Sequence, residues 1–196
     1  LVFLAKISGA LYFMNNIDHE PILDKAVESL KINLYLFLIF FLAFMTWIIT
    51  KDGFAVDASG VVYIQEYKYL INFIEMPIVL ALFLIGVLMV LGAVFTAIFF
   101  RKTCCIKTGG VGIVLTVMAI LLNVGFNNTA YYPSTTDLQS SLTIVNSSGS
   151  HYTLMAMSYA SLMIPFVIAY GAYAWYSMDK VKITKEEIEA PDAHNY

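Results

Sequence analysis

Four stretches of the chain, 32–50, 77–100, 109–126 and 152–178, contain no charged residue at all. Their apolar positions run on without the alternation a half-buried strand would show, and about 20 such residues are what a helix needs to cross the hydrocarbon of a bilayer. Lipid admits strands only as a closed barrel. The pattern therefore predicts an all-α protein, a polytopic transmembrane helical bundle with four complete spans. The span at 109–126 is the shortest, a deficit that apolar flanks and tilt absorb. A further apolar run, 1–14, opens the chain with neither an initiator Met nor a basic leader. It reads as the C-terminal tail of a preceding helix at a truncated start. A signal peptide is disfavoured because no small-residue cleavage site precedes Asn15 and Asn16.

Composition agrees with a bundle whose solvent is lipid. The chain is 60% hydrophobic and 13% charged, whereas soluble domains are roughly half apolar and about a quarter charged. Eleven basic against fourteen acidic residues give a net charge of −3, which excludes nucleic acid as a partner and leaves the lipid bilayer and membrane proteins. The basic residues also set an orientation, because Lys and Arg of short loops stay on the cytoplasmic side. Segments 15–31, 101–108 and the tail 179–196 hold Lys25, Lys31, Arg101, Lys102, Lys107, Lys180, Lys182 and Lys185, whereas 51–76 and 127–151 hold only Lys51 and Lys68. The C-terminus is thereby expected in the cytoplasm and the two longer loops outside.

Local signals fit this layout. Pro77 suits a first helical turn, with Glu75 placed favourably for the helix dipole. Pro165 falls mid-span and predicts a kink whose freed carbonyl neighbouring helices satisfy. Tyr170, Tyr173, Trp175 and Tyr176 form an aromatic belt at the cytoplasmic end of the last span. Gly86, Gly92, Gly109, Gly110 and Gly112 allow close helix approach.

Candidate chemistry is sparse. Axial haem ligands come from helices flanking a porphyrin, yet His19, His151 and His194 all lie outside the four charge-free stretches. The chain alone is expected to bind no haem, no other cofactor and no metal, and to hold no catalytic residue. Lys6 is the one charge inside an apolar run, about 13 Å deep if its helix ends near Asn15. An intramembrane charge is a functional candidate by default, with a snorkelling side chain as the alternative. Cys104 and Cys105 adjoin Arg101 and Lys102, so they read as juxtamembrane thiols, inert or palmitoylated, and not as a disulfide framework. Asn127-Asn128-Thr129 and Asn146-Ser147-Ser148 fit the short glycosylation pattern, which arises often by chance.

One loop carries a more distinctive pattern. Pro133-Ser134 is followed by Ser141-Leu142-Thr143-Ile144-Val145-Asn146-Ser147-Ser148 and by Thr153-Leu154 at the entry to the last span. The tail reads Ile183-Thr184-Lys185-Glu186-Glu187-Ile188-Glu189 and ends with His194 and Tyr196. Upstream stand Gly9-Ala10 with Tyr12, and Met76-Pro77-Ile78 opening a helix. In this order the four elements resemble subunit II of cytochrome bd-type quinol oxidases, cyanide-insensitive relatives included, with Pro133, Ser134, Ser141, Leu142, Thr143 and Asn146 as the family motif. The resemblance covers the chain as the C-terminal half of such a subunit. It departs from the family pattern at Asn16-Ile17-Asp18-His19-Glu20-Pro21, where a Thr-x-Gly-x-Leu run is usual.

The resemblance implies a non-haem membrane subunit of a terminal oxidase in a bacterial or archaeal inner (plasma) membrane. Such a complex oxidises quinol and reduces dioxygen to water in the respiratory chain. The haems, b and d or b only, are expected in the partner subunit I, which this chain helps to assemble and stabilise, and small accessory subunits are further expected partners. Two other classes compete. A transporter half needs discontinuous helices with polar midplane residues, and only Pro165 and Lys6 answer to that. A four-span scaffold stapled by loop disulfides is opposed by the absence of cysteine from 127–151.

Overall fold

The computed structural model describes residues 1–102, 105–180 and 182–185. Its main elements are α1 (Val2–Asn16), α2 (Glu20–Thr50), α3 (Lys68–Glu75), α4 (Pro77–Phe100), α5 (Cys105–Gly125), α6 (Ile144–Ser147), α7 (His151–Ser161) and α8 (Ile164–Met178). Among the described residues, strands form two small pairings at opposite ends of the bundle: β1 (Ile17–Asp18) with β4 (Ile183–Thr184), and β2 (Gly53–Val56) with β3 (Val62–Gln65). The protein is thus all-α, with four helical stretches among the described residues long and apolar enough to cross a membrane: α2, α4, α5 and the α7–α8 pair.

The helices are longer than the charge-free stretches where polar residues can ride on a helix end. α2 starts at Glu20, with Pro21 in its first turn, so most of the segment 15–31 expected as a loop is helical. Freedom from charge marks what lipid can cover, and a helix in water needs no such freedom. At 31 residues α2 is roughly 46 Å long, against about 30 Å of hydrocarbon. The projecting turns bury Ala26, Val27 and Leu30 against Ile7, Ala10, Leu11 and Met14 of α1 and Ala93, Val94 and Ala97 of α4. Arg101, the left-handed C-cap of α4 with φ 48°, reaches Asp24 of the same projection at 2.8 Å. Both side chains are exposed, which limits that pair to about 0–1 kcal/mol.

The closest helix contact joins α4 to α5. A Cβ on Gly86 would lie 2.7 Å from the Thr116 backbone nitrogen, and one on Gly112 would lie 2.8 Å from the Gly86 carbonyl oxygen. Only glycine lets the two backbones meet there. The face α5 turns inward is small or polar throughout: Cys105, Gly109, Gly112, Thr116, Ala119 and Asn123. A second apolar core, Met45, Phe73, Val79 and Ala119, lies toward the β2–β3 hairpin.

The last span stands apart. None of the residues of α7 or α8 is buried, and the helix is interrupted at Leu162 and Met163, just upstream of Pro165 in the first turn of α8. The interruption expected at this proline is a tightened turn: Leu162 and Met163 keep right-handed dihedrals and donate to Tyr159 O and Ala160 O, and no described helix covers it. The span is tied at its far end instead. Asn16 Nδ2 donates to Asp179 Oδ1 at 3.0 Å, Tyr12 meets the edge of Trp175, and Ile17 pairs with Ile183.

Substituting Gly112→Ala should lower stability by about 1–3 kcal/mol through overpacking against backbone. Gly110→Ala, with open space around its Cβ position, should cost nothing. Thermal unfolding of the two variants in detergent, followed by size exclusion, checks the contrast.

Candidate functional site

Beneath the hairpin a polar cluster closes the end of the bundle. α5 ends at Gly125, and Asn127 and Asn128 follow in left-handed conformation, φ 59° and 50°, a region Asn tolerates better than most residues. That reversal sends the chain back along the hairpin, where Val56 N–H donates to Asn128 O and Ala130 N–H to Phe54 O, each at 2.8 Å. It also aims the Asn127 carbonyl at Lys68, whose Nζ donates to it at 3.0 Å. Gly53 makes room for this lysine, since a Cβ there would sit 2.6 Å from Lys68 Cβ.

Asn72, fully buried, is the hub. Its Nδ2 donates to Asn123 O at 2.8 Å and to Thr129 Oγ1 at 2.9 Å. Its Oδ1 accepts from Asn127 Nδ2, which also donates to Glu75 Oε2 at 2.5 Å. All the hydrogen-bonding capacity of the Asn72 amide donor is used. The Asn123 side chain, also buried, has neither amide atom partnered among the described residues. Burial holds the Lys68 amine below its ordinary value of 10.5, and the Glu75 carboxylate opposes that shift. The cluster can hold charge and polar groups out of lipid, and it presents no nucleophile paired with a base.

The hairpin tip is fixed separately. Asp57 Oδ1 accepts from Ser59 N, Ser59 Oγ and Val61 N within 2.9 Å. The Ser59 hydroxyl and the Val61 amide hold its carboxyl below the usual range. Gln139 clasps Val62 through both amide atoms at 2.9 Å.

The residues singled out in the loop 133–146 come together as a self-contained turn. Ser134 N–H donates to Ser141 Oγ at 3.0 Å, and Ser141 Oγ donates in turn to Leu138 O. Leu142 bridges to Tyr132. Thr143 and Asn146 form a reciprocal capping box on α6, and Asn146 Nδ2 donates to Ser141 O at 2.9 Å. Pro133 precedes the turn. The amide nitrogens of Asn127 and Asn146, the two glycosylation candidates, are thus both committed to hydrogen bonds.

The remaining candidates do not join these groups. Lys6 is exposed on α1. His19, half-buried, caps the start of α2 with its Nδ1 unpartnered among the described residues. His151 is exposed at the start of α7. Cys105 is buried in the core beside Ile106, while Cys104, His194 and the 186–189 part of the tail pattern lie outside the described residues. Sequence reading passed over Lys68, Asn72 and Asn123; the available signal was amides and a lysine abutting span ends.

An apolar crevice of about 530 Å³ opens mid-bundle, lined by Phe3, Phe40, Phe44, Val87, Leu121 and like residues of α1, α2, α4 and α5. No His, Met or Cys lines it, so it offers no axial ligand and does not fit a haem. No group of three or more His, Cys, Asp or Glu fit for a metal ion occurs among the described residues.

These features define a polytopic helical membrane protein organised around packing and loop hydrogen bonding. The chain belongs to the family of cytochrome bd terminal oxidase subunit II, whose family model matches residues 1–178. Among curated proteins it is similar to cytochrome bd-I ubiquinol oxidase subunit 2 from three strains of Escherichia coli. The identity is 31% over 123 residues, 62% of this chain and 31% of each relative. The chain thus matches about a third of the length of those relatives. The family resemblance read from the sequence is borne out.

Two outcomes follow from the cluster. Asn72→Leu should destabilise the protein by about 2–4 kcal/mol, since it strands several buried partners, whereas Asn123→Leu should be neutral or stabilising; chemical denaturation in detergent separates the two. Because folding lowers the Lys68 pKa, the unfolded chain holds the proton more tightly. Stability should then rise with pH from the folded value up to 10.5, and this increment, read from melting at stepped alkaline pH, should vanish in Lys68→Met.

Proposed function

We propose that this chain is the non-haem membrane subunit of a cytochrome bd-type terminal oxidase, a complex that oxidises quinol and reduces dioxygen to water. The observation that carries the reading is the family match along residues 1–178. Haem chemistry then falls to a partner, subunit I, and the work of this chain is mechanical: to present helices against which that partner assembles and stays folded. The motif from Pro133 to Asn146 serves this role as a rigid loop, because Ser134, Ser141, Thr143 and Asn146 spend their polar atoms on one another and on nearby backbone. Quinol is a substrate of the complex, and no residue of this chain is assigned to its oxidation.

The distribution of Lys and Arg supports a cytoplasmic position for Arg101, the β1–β4 pairing and the tail. The hairpin and the polar cluster then lie on the outer face of the membrane. Lys6, on α1, would reach its amine along the helix toward one surface.

The protein carrying an affinity tag, isolated from its native membranes, should co-purify with a haem-bearing membrane subunit and show that partner's absorption bands. Isolation of this chain without any such partner, from membranes in which the oxidase is active, would falsify the proposal. For orientation, Val145→Cys in a background with both native cysteines changed to Ser should react with an impermeant maleimide added outside intact cells. Reaction only in inverted vesicles would reverse the topology.

A further inference from the structure

Helix α3 turns polar as well as apolar residues inward: Lys68, Asn72 and Phe73 are buried against the bundle, while the apolar residues Leu70 and Ile74 are exposed. Leu70 and Ile74 form an apolar stripe four residues apart on one face of α3, and the N-cap residue Tyr67 before them and Ile78 in the first turn of α4 are exposed as well. Beyond the non-helical Met76, Ile78, Ile85 and Leu88 of α4 are exposed too, at spacings of seven and three residues on one face of that helix. Exposure reaches 68% at Ile74 and 76% at Ile78, values that would be costly in water.

The length of the elements says what covers the stripe. α4, with 24 residues, spans roughly 36 Å and already fills the hydrocarbon, which is about 30 Å thick. α3, joined to α4 through Met76, then lies level with the headgroups on the hairpin side, where Leu70 and Ile74 are exposed. Lys68 points away from it into the Asn127 carbonyl, so the stripe itself carries no basic residue. Glu66 and Glu75 border it, exposed, and Tyr67 has the amphipathic ring favoured at that depth.

We propose that α3 is an interfacial amphipathic helix, with Tyr67, Leu70 and Ile74 seated in the acyl–glycerol boundary of the leaflet on the hairpin side. Lipid of that leaflet, and not a protein partner, is its ligand. The helix thereby sets the depth of the α4 N-terminus and presses its polar face onto the cluster around Asn72. This rests on the membrane-spanning assignment of α4 and not on the oxidase reading.

The test uses Leu70→Cys and Ile74→Cys separately, in the serine background, each labelled with bimane in the intact membrane complex reconstituted into lipid discs. Lipids brominated near the glycerol end of the acyl chain should quench both labels about twofold, as a shallow interfacial seat requires, while aqueous iodide leaves them bright. A label at Val145→Cys, on the exposed loop, should respond to iodide instead. Quenching of positions 70 and 74 by iodide alone would place α3 in water and overturn the proposal. Resistance to both quenchers would show a protein covering the stripe and overturn it equally.

Discussion

Helices α4 and α5 touch backbone to backbone at Gly86 and Gly112, and the rest of the described bundle is arranged around that contact. Inside a bilayer there is no water to expel between two helices, because lipid tails are as apolar as leucine, so cohesion has to come from close van der Waals contact. Glycine supplies it by removing the side chain that would hold the backbones apart. The contact fixes the line along which Thr116, Ala119 and Asn123 face inward. The two apolar cores form on either side of it: Leu30, Val94 and the α1 residues toward Arg101, and Met45, Phe73 and Val79 toward the hairpin.

A bundle held this tightly along its length still needs its ends closed, and the hairpin end is closed by hydrogen bonds. Asn72 joins α3 to α5 and to the loop after it, and Asn127 carries the connection to Glu75. Such a network favours the folded state only when its members are satisfied. Lys68 shows the cost, since its amine sits in a place where burial disfavours the charge. The Asn127 carbonyl and nearby Glu75 offset that cost, and the left-handed turn at Asn127 and Asn128 is what brings the carbonyl within reach.

The membrane class was legible in the sequence because lipid imposes a rule on every residue it touches: absence of charge over 77–100 gave a helix with the same bounds. The glycines of α4 and α5 were legible as a group, but Gly92 and Gly110 have open space about them. Which glycine is needed depends on the helix phase at the crossing, and that is a tertiary fact. The start of α2 was missed since Asp24, Lys25, Glu28 and Lys31 read as a loop, although charges on a helix end in water are harmless. The polar cluster was missed for a different reason. Lys68, Asn72 and Asn127 lie far apart in sequence, and each alone has the look of an ordinary loop residue. Asn146 was marked by its motif, yet its role as half of a capping box follows only from the turn that brings Thr143 to it.

Pro165 bears on how the last span sits in the membrane. A proline has no N–H to return to the carbonyl four residues earlier, so Ser161 O loses its helical donor, and the helix tightens into a turn at Leu162 and Met163. The hydroxyls nearby do not repair it: Ser158 Oγ donates to Leu154 O and Ser161 Oγ to Ser158 O. In hydrocarbon an acceptor without a donor costs several kcal/mol, and the described helices leave α7 and α8 uncovered. The contacts that tie this span to the bundle, Asn16 with Asp179 and Ile17 with Ile183, lie at its end near Arg101. They fix where the helix emerges and leave its middle free to meet a donor. This span is thus held by hydrogen bonds at one end, in contrast to α4 and α5, which meet by close backbone packing along their length.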